Sequence, residues 1–406
     1  MGFAPTYLVV SCILMTNLTQ KILSYTNSLD EIELILSRSF KLSSQLNDCE
    51  IQYAESAIAK YKTSKFGERT LVEVKPISKD TESVINYIIS QFDNAYGKTS
   101  RQIKTAVCFS QMQVLGKYQI NSDLEIFPIP TGNPISDEIP SDHPFILRYS
   151  ISTCNDISVN AYRSGLELDK FENLFSQLAC PVKCNYGRNG DKRWVFSISN
   201  NSEVETKWQQ CGYIGTNTNI ENPETISSIA EVEDELYYGK YYFGAGDIMT
   251  VPKSLRESFR IALTIKKECS DKYFNAVKWY RQGLKTLQSS KGLTFIAMVT
   301  AIECLIDQDE KRAKCETCNR ILDDGPTKKF NSFMETYCPG IDQSARKALY
   351  EMRSNLAHGR MVLLGDGSSY SFNPVKITQD QSLRSVIHYV RLGLRNWLHM
   401  SAKECS

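Results

Sequence analysis

Two residues near the end of the chain have side chains that could together cleave a phosphodiester bond. Arg353 and His358 lie five residues apart in the segment ALYEMRSNLAHGRMVL. Arginine supplies a permanent planar cation that binds phosphate oxygens, and histidine exchanges a proton near neutral pH. Such a pair can take the proton from a ribose 2′-OH and stabilise the charge that develops on the phosphate, without a metal ion.

The spacing of these two residues needs an irregular backbone if they are to act on one bond. Five residues of an ideal helix rotate a side chain by about 140°, so Arg353 and His358 would not share a face. Gly359 follows directly and is predicted to be the C′ glycine that ends the helix, where the chain can leave regular geometry. The alternative interpretation is an ordinary surface pair or a contact at the helix end.

A carboxylate earlier in the chain is expected to pair with an arginine. The segment 293–307 is apolar nearly all round, which predicts a helix at the centre of a bundle. Glu303 is its only charged residue before Asp307, and a buried carboxylate is costly unless it is paired. We expect its cation to be Arg353 or Arg281, unless Glu303 lies at the helix edge and reaches water.

The elements that would position these residues are helical. Six helices are predicted after Pro252, and an antiparallel bundle is the natural way to bury their apolar faces. Their predicted ranges are 254–268, 271–289, 293–307, 327–337, 342–358 and 378–402. One β-hairpin is predicted among them, with arms 361–364 and 370–372 on either side of the turn Asp366-Gly367.

The first part of the chain has a different pattern. Apolar residues recur at helical spacing over 16–62, which predicts an N-terminal helical segment within 1–64. Residues 65–215 combine helical stretches with short β-rich runs separated by turn residues, which predicts a mixed α/β domain with an antiparallel sheet. The polar, acidic segment 216–250 is the predicted linker to the helical domain at 251–406. The predicted class is therefore α+β overall.

The charges divide unevenly between the two parts of the chain. Residues 1–250 carry 22 Lys/Arg against 30 Asp/Glu, a balance of −8, and residues 251–406 carry 25 against 16, a balance of +9. A basic part in a chain of net charge +1 is typical of a surface that meets a polyanion, and the two parts are also expected to attract each other. The alternative is the ordinary variation of charge along any chain.

The C-terminal motifs resemble those of a known superfamily. The segment RSNLAHG resembles the R-x4-H motif of HEPN domains, and YRQGL followed by FIAMVTAIECLI resembles the Apea-like HEPN branch. The resemblance covers roughly residues 250–402. It implies an all-α bundle and a metal-independent endoribonuclease whose Arg and His are Arg353 and His358, with Ser354 or Asn355 orienting the arginine.

Further expectations follow from the same resemblance. Such ribonucleases usually form a composite site between two paired HEPN domains, so a homodimer acting on RNA is expected. Many members act in antiviral defence or as growth-arresting toxins. Other members have lost the motif and only bind, so the alternative is a non-catalytic HEPN module for a nucleotide or a partner protein.

A second motif predicts a metal rather than catalysis. Cys315-x2-Cys318 resembles half of a zinc knuckle, and Cys338 lies twenty residues on. Structural zinc takes four ligands, so Cys304, a carboxylate or a cysteine from elsewhere would have to complete the site. The alternative is a set of reduced thiols, and catalysis itself is expected to need no cofactor.

The N-terminal segment and the cysteines bear on location. The apolar run 7–15 is far shorter than the ~20 residues that span a bilayer, and no Lys or Arg precedes Lys21 as a signal peptide would require. We expect no membrane segment and a start of the chain near Met15. Thirteen scattered cysteines in 406 residues fit free thiols in the cytoplasm.

Overall fold

The fold consists of two compact units that share the chain in an interleaved way. In the computed structural model, one unit comprises Met1–Lys104 and Ser150–Glu167, and the other comprises Thr105–Tyr149 and Leu168–Ser406. The described residues are 18–40, 43–47, 50–53, 56–63, 69–77, 80–128, 143–184, 192–198, 204–210, 226–239, 247–306, 313–314, 321–322, 325–366 and 374–404. The start predicted near Met15 lies outside them.

The first unit combines helices with a four-stranded antiparallel sheet. Its strands are neighbours in the order β1-β2-β3-β4. The bounds are helix α1 (18–25), α2 (Leu29–Phe40), β1 (Ser43–Asn47), β2 (Glu50–Tyr53), β3 (Ala57–Thr63), β4 (Arg69–Pro76) and α3 (Thr81–Tyr96). The apolar side chains of these elements form one buried core that includes Ile32, Tyr53, Ile88 and Phe92.

The helical segment predicted over 16–62 is correct only as far as Phe40. Beyond it the chain forms β1, β2 and β3. In β3, the side chains of Ala57, Ala59 and Tyr61 are buried while Lys62 is exposed, so burial there repeats every second residue. This is the period of a strand, and it decides the structure because that face packs in the unit's core.

The second unit contains most of a five-stranded sheet, ordered β6-β7-β8-β5-β9. The bounds are β5 (Ser100–Ser110), β6 (Tyr118–Asn121), β7 (Leu124–Pro128), β8 (His143–Thr153), helix α4 (Ile157–Leu178) and β9 (Val182–Cys184). The chain passes from one unit to the other within β5, β8 and α4. Two further strands, β10 (Lys192–Ile198) and β11 (Val204–Gln210), form an antiparallel pair.

The predicted linker 216–250 is ordered wherever the structure describes it. Strand β12 (Glu231–Val232) pairs in parallel with β13 (Val251–Pro252), and between them runs the short helix α5 (Asp234–Tyr238). Both tyrosines of α5 are buried, and the Tyr238 hydroxyl donates to the carbonyl of Leu178 at 2.7 Å. This part of the segment is thus packed structure.

The boundaries of the two compact units differ from the domain boundaries predicted at 65 and 216. That the predicted segments are folding domains stays a prediction.

The C-terminal region is helical, and the predicted α+β class is confirmed. Its helices are α6 (Leu255–Thr264), α7 (Lys267–Thr286), α8 (Lys291–Glu303), α9 (Pro326–Tyr337), α10 (Gln343–Ala357) and α11 (Pro374–Glu404). Helix α8 buries most of its side chains and packs against α7, α9, α10 and α11. The prediction that this apolar helix lies at the centre is confirmed. In the described part of the chain, none of the helices has the length and apolar character to cross a bilayer.

The hairpin predicted around Asp366-Gly367 is wrong in its first arm. Residues 361–363 form no strand, and Leu364–Asp366 is a turn of 3-10 helix. The second arm, 370–372, lies outside the described residues. The antiparallel strands found in this region are instead β14 (Ala313–Lys314) and β15 (Ile321–Leu322). A long-range contact of the Asp366 side chain holds the turn at 364–366. The local sequence does not encode that contact.

Candidate active site

Glu303 and Arg353 form an ion pair between the central helix and the motif helix. Glu303 is the last residue of α8, and its Oε2 accepts a hydrogen bond from Nη2 of Arg353 on α10 at 2.8 Å. Their side chains are 22% and 25% exposed, so the pair is shielded from water but still reaches it. The cation predicted for Glu303 is therefore Arg353, and the carboxylate lies at the end of its helix.

The remaining surroundings of Arg353 restrict its orientation. The guanidinium carbon lies 6.0 Å from the ring centre of Tyr350, at the outer range of a cation–π contact. Its Nε is buried and has no hydrogen-bond partner among the described residues. A buried N–H without an acceptor is unfavourable. The ion pair with Glu303 therefore holds the guanidinium in a position that leaves this N–H unsatisfied.

Arg281, the other candidate partner of Glu303, pairs with different carboxylates. Its Nη1 lies 2.6 Å from Oδ1 of Asp169 and 3.2 Å from Oδ1 of Asn173, and its Nη2 lies 2.5 Å from Oε1 of Glu172. These three partners lie on α4. Arg281 and Glu172 are both buried, so this group fastens α7 to α4 within the second unit.

His358 occupies the end of helix α10, as predicted. It is the C-cap residue, with φ −91° and ψ 6°, and its backbone N–H donates to the Ser354 carbonyl at 3.0 Å. Gly359 follows with φ +67°, in the left-handed region that favours glycine. The Arg360 N–H bonds the Asn355 carbonyl at 2.8 Å, which together with the Gly359 N–H forms a Schellman motif.

Within one chain the two motif side chains differ in their exposure and in their contacts. Arg353 is half-buried and turned to Glu303, whereas His358 is exposed. Among the described residues no contact joins the two side chains. Ser354 and Asn355, predicted to orient Arg353, are half-buried and contribute backbone carbonyls to the helix end. In the described structure the residue that orients Arg353 is Glu303.

Asp366, which the sequence predicted only as a turn residue, has a different role in this region. Its carboxylate accepts hydrogen bonds from the backbone N–H groups of Lys291 and Gly292, the latter at 2.8 Å, and from the Ser290 hydroxyl at 3.2 Å. A carboxylate at a helix N-terminus satisfies N–H groups that have no partner in the helix. Asp366 thus anchors the segment that follows His358 to the start of the central helix.

The zinc site predicted from the cysteines is only partly described. Cys315 and Cys318 lie outside the described residues. Cys338, the third candidate ligand, is buried at the end of α9, and its thiol donates to the Tyr389 carbonyl at 3.2 Å. Burial raises the pKa of this thiol to about 12. No group of three metal-binding side chains occurs among the described residues, and the position of Cys338 favours a packing role.

The packing around Cys338 gives a direct stability prediction. A Cβ on Gly393 of α11 would lie 2.8 Å from the Cys338 Sγ and 3.2 Å from Cε1 of Phe333. We expect Gly393→Ala to lower the free energy of unfolding by about 1–3 kcal/mol, because the closed core must shift to admit a methyl group. Urea unfolding measures this. The matched control is Gly165→Ala in α4, which has open space and should instead stabilise by about 0.5–1 kcal/mol.

Comparisons with known proteins add no assignment to this geometry. Searches against protein-family models, curated proteins and solved structures each returned no match.

Proposed function

We propose that this protein is a metal-independent endoribonuclease of the HEPN type, with Arg353 and His358 as its catalytic pair. The observation that carries the proposal is the end of α10. A guanidinium held by Glu303 lies there a little over one turn before an exposed imidazole at the helix C-cap. The resemblance of RSNLAHG to the R-x4-H motif supports the same conclusion.

The proposed reaction uses each residue for one task. His358 removes the proton from a ribose 2′-OH, and the resulting oxygen attacks the adjacent phosphorus. Arg353 binds the non-bridging oxygens and stabilises the negative charge of the transition state. The P–O5′ bond then breaks, the leaving 5′-oxygen takes a proton from solvent, and the imidazolium of His358 returns its proton to solvent. The products are a 2′,3′-cyclic phosphate and a 5′-hydroxyl, and no water or metal is consumed in this step.

A second copy of the chain completes the proposed site. No hydrogen bond joins Arg353 and His358 within one described chain, and five residues of a regular helix turn two side chains about 140° apart, so we propose that two chains share the site. Pairing of two helical domains would bring two α10 C-termini to one cleft, as the resemblance to HEPN enzymes implies. The basic balance of residues 251–406, +9, supports RNA as the polyanion bound there. We propose that the protein acts in the cytoplasm and that its role is antiviral defence or that of a toxin.

A cleavage assay tests the proposal. The purified full chain is incubated with mixed cellular RNA in excess EDTA, and the product ends are identified. We expect cleavage that leaves 2′,3′-cyclic phosphates, reduced by about 10²–10⁴-fold in His358→Ala because the general base is lost. Lys347→Ala, an exposed substitution on the same helix, is the matched control and should cleave normally. Equal cleavage by wild type and His358→Ala would identify a contaminating nuclease and refute the proposal.

The second candidate is a non-catalytic binding module. It is favoured by the ion pair with Glu303, which neutralises Arg353. Such a module would bind a nucleotide or a partner protein, leave RNA intact under every condition, and respond little to His358→Ala. Binding and cleavage measured in the same samples therefore distinguish the two functions.

A further inference from the structure

Two buried cysteines face each other on neighbouring strands of the five-stranded sheet. Cys108 on β5 and Cys184 on β9 are direct partners in the antiparallel register of these strands. The Cys108 thiol lies 3.2 Å, Sγ to Sγ, from the Cys184 thiol. Both residues belong to the second unit, and both thiols are free. Directly paired antiparallel residues have Cα atoms about 4.5–5.5 Å apart, within the range that a disulfide spans.

The position of β9 makes one thiol more accessible than the other. Among the described strands β9 lies at the edge of the sheet, and Cys184 is its last residue. Cys184 is 8% exposed, whereas Cys108 on the interior strand β5 is 0% exposed. An oxidant small enough to enter at a strand end therefore meets Cys184 first. Cys108 is then already placed beside the oxidised sulfur.

The backbone around this pair is held in place by helix α4. The Cys184 N–H donates to Oε2 of Glu172 at 3.3 Å, and the Val182 N–H donates to the Ser176 hydroxyl at 3.1 Å. These contacts fix β9 in register with β5 and keep the two sulfur atoms together. No change of backbone pairing is needed to join them.

We propose that Cys108 and Cys184 form a redox-reactive dithiol that hydrogen peroxide converts into a cross-strand disulfide. The Cys184 thiolate attacks one peroxide oxygen, the O–O bond breaks, and hydroxide leaves and is protonated to water. The Cys108 thiolate then attacks the sulfur of the resulting sulfenic acid, and the S–O bond breaks with release of a second water. Two thiols and one peroxide thus give one disulfide and two waters. The proposal is independent of the ribonuclease activity.

The surroundings predict how fast this reaction runs. Burial raises the pKa of the Cys184 thiol well above its usual range, and the neighbouring Cys108 adds to the effect. Because the thiolate is the nucleophile, oxidation is expected to be slower than at an exposed cysteine and to accelerate as the pH is raised. Cys269, which is half-exposed, serves as the internal comparison.

The test is peptide mapping of the full-length protein after peroxide treatment. Remaining thiols are alkylated after denaturation, the protein is digested without reductant, and linked peptides are identified by mass. We expect a Cys108–Cys184 link in wild type and in Cys269→Ser, and its loss in Cys108→Ser and in Cys184→Ser. Cys108→Ala and Cys184→Ala repeat the comparison if a hydroxyl disturbs the core.

Two outcomes would overturn the proposal. One is the absence of the link when exposure to peroxide is continued at raised pH long after Cys269 has been fully oxidised, since slow reaction of the buried pair is then allowed for. The other is a link from either cysteine to Cys180, whose thiol lies 3.7 Å from the Ser110 hydroxyl on the same strand as Cys108. A second measurement supports the first: oxidation should raise the thermal midpoint of wild type by on the order of 5 °C and leave that of Cys184→Ser unchanged.

Discussion

Arg353→Ala is expected to reduce RNA cleavage by about 10²–10³-fold, the usual effect of removing one charged donor from a transition state. The loss should appear in single-turnover rates at saturating RNA, because the guanidinium acts on charge that develops during the reaction. Arg353→Lys keeps the charge but lacks the planar fork, so it should recover only part of the rate. Undiminished cleavage by Arg353→Ala would remove this residue from the mechanism.

Glu303 provides the control that separates catalysis from folding. Glu303→Gln removes the charge that holds Arg353 while keeping the shape of the side chain, and both groups are partly exposed. Its expected cost in stability is about 1 kcal/mol or less. If Glu303 positions Arg353 for catalysis, cleavage by Glu303→Gln should fall while its thermal midpoint changes little. If Glu303→Gln loses stability and cleavage in proportion, Glu303 serves the fold and not the site.

Arg281→Ala is the substitution with the largest expected effect on stability. It removes the nearest cation from Asp169 and from Glu172, which is 2% exposed, and leaves Glu172 with Lys285, whose Nζ lies 3.9 Å from its Oε1. Removing one partner of a buried pair costs about 3–5 kcal/mol when the other charge is left unpaired, and the more distant Lys285 ammonium is expected to reduce that cost. Urea unfolding followed by tryptophan fluorescence reports on this unit, because all four tryptophans belong to it. One of them, Trp397, is buried on α11 and stacked on Tyr273 of α7.

An exposed pair supplies the matched control for Arg281. Arg260 and Glu257 form an ion pair on α6, but their side chains are 63% and 50% exposed. Arg260→Ala should therefore leave the free energy of unfolding nearly unchanged, because water screens the two exposed charges. Adding Glu172→Gln to Arg281→Ala should recover part of the lost stability, because the buried charge is then gone. Equal effects of Arg281→Ala and Arg260→Ala would show that burial does not make the Arg281 pair important.

Features set by local pattern could be predicted from the sequence. The segment that became α8 is apolar on every side, so it had to be enclosed by other helices, and it is. Gly359 ends α10 in the left-handed conformation because a C′ position strongly favours a residue without a Cβ. That Glu303 needs a cation followed from the cost of burying a carboxylate in an apolar helix.

The choice of partners was decided by the tertiary structure. Arg353 and Arg281 were equal candidates for Glu303, and only the packing of α7 against α4 assigned Arg281 to Glu172. The sequence predicted a β-turn at Asp366, but its carboxylate instead caps a helix that begins 75 residues earlier in the chain. Strand β3 lies within the range 16–62 that was predicted to be helical, and it is a strand because Ala57, Ala59 and Tyr61 on one of its faces pack in a core. Periodicity and backbone preference act over a few residues and are visible in a sequence, whereas pairing across the fold depends on which surfaces meet.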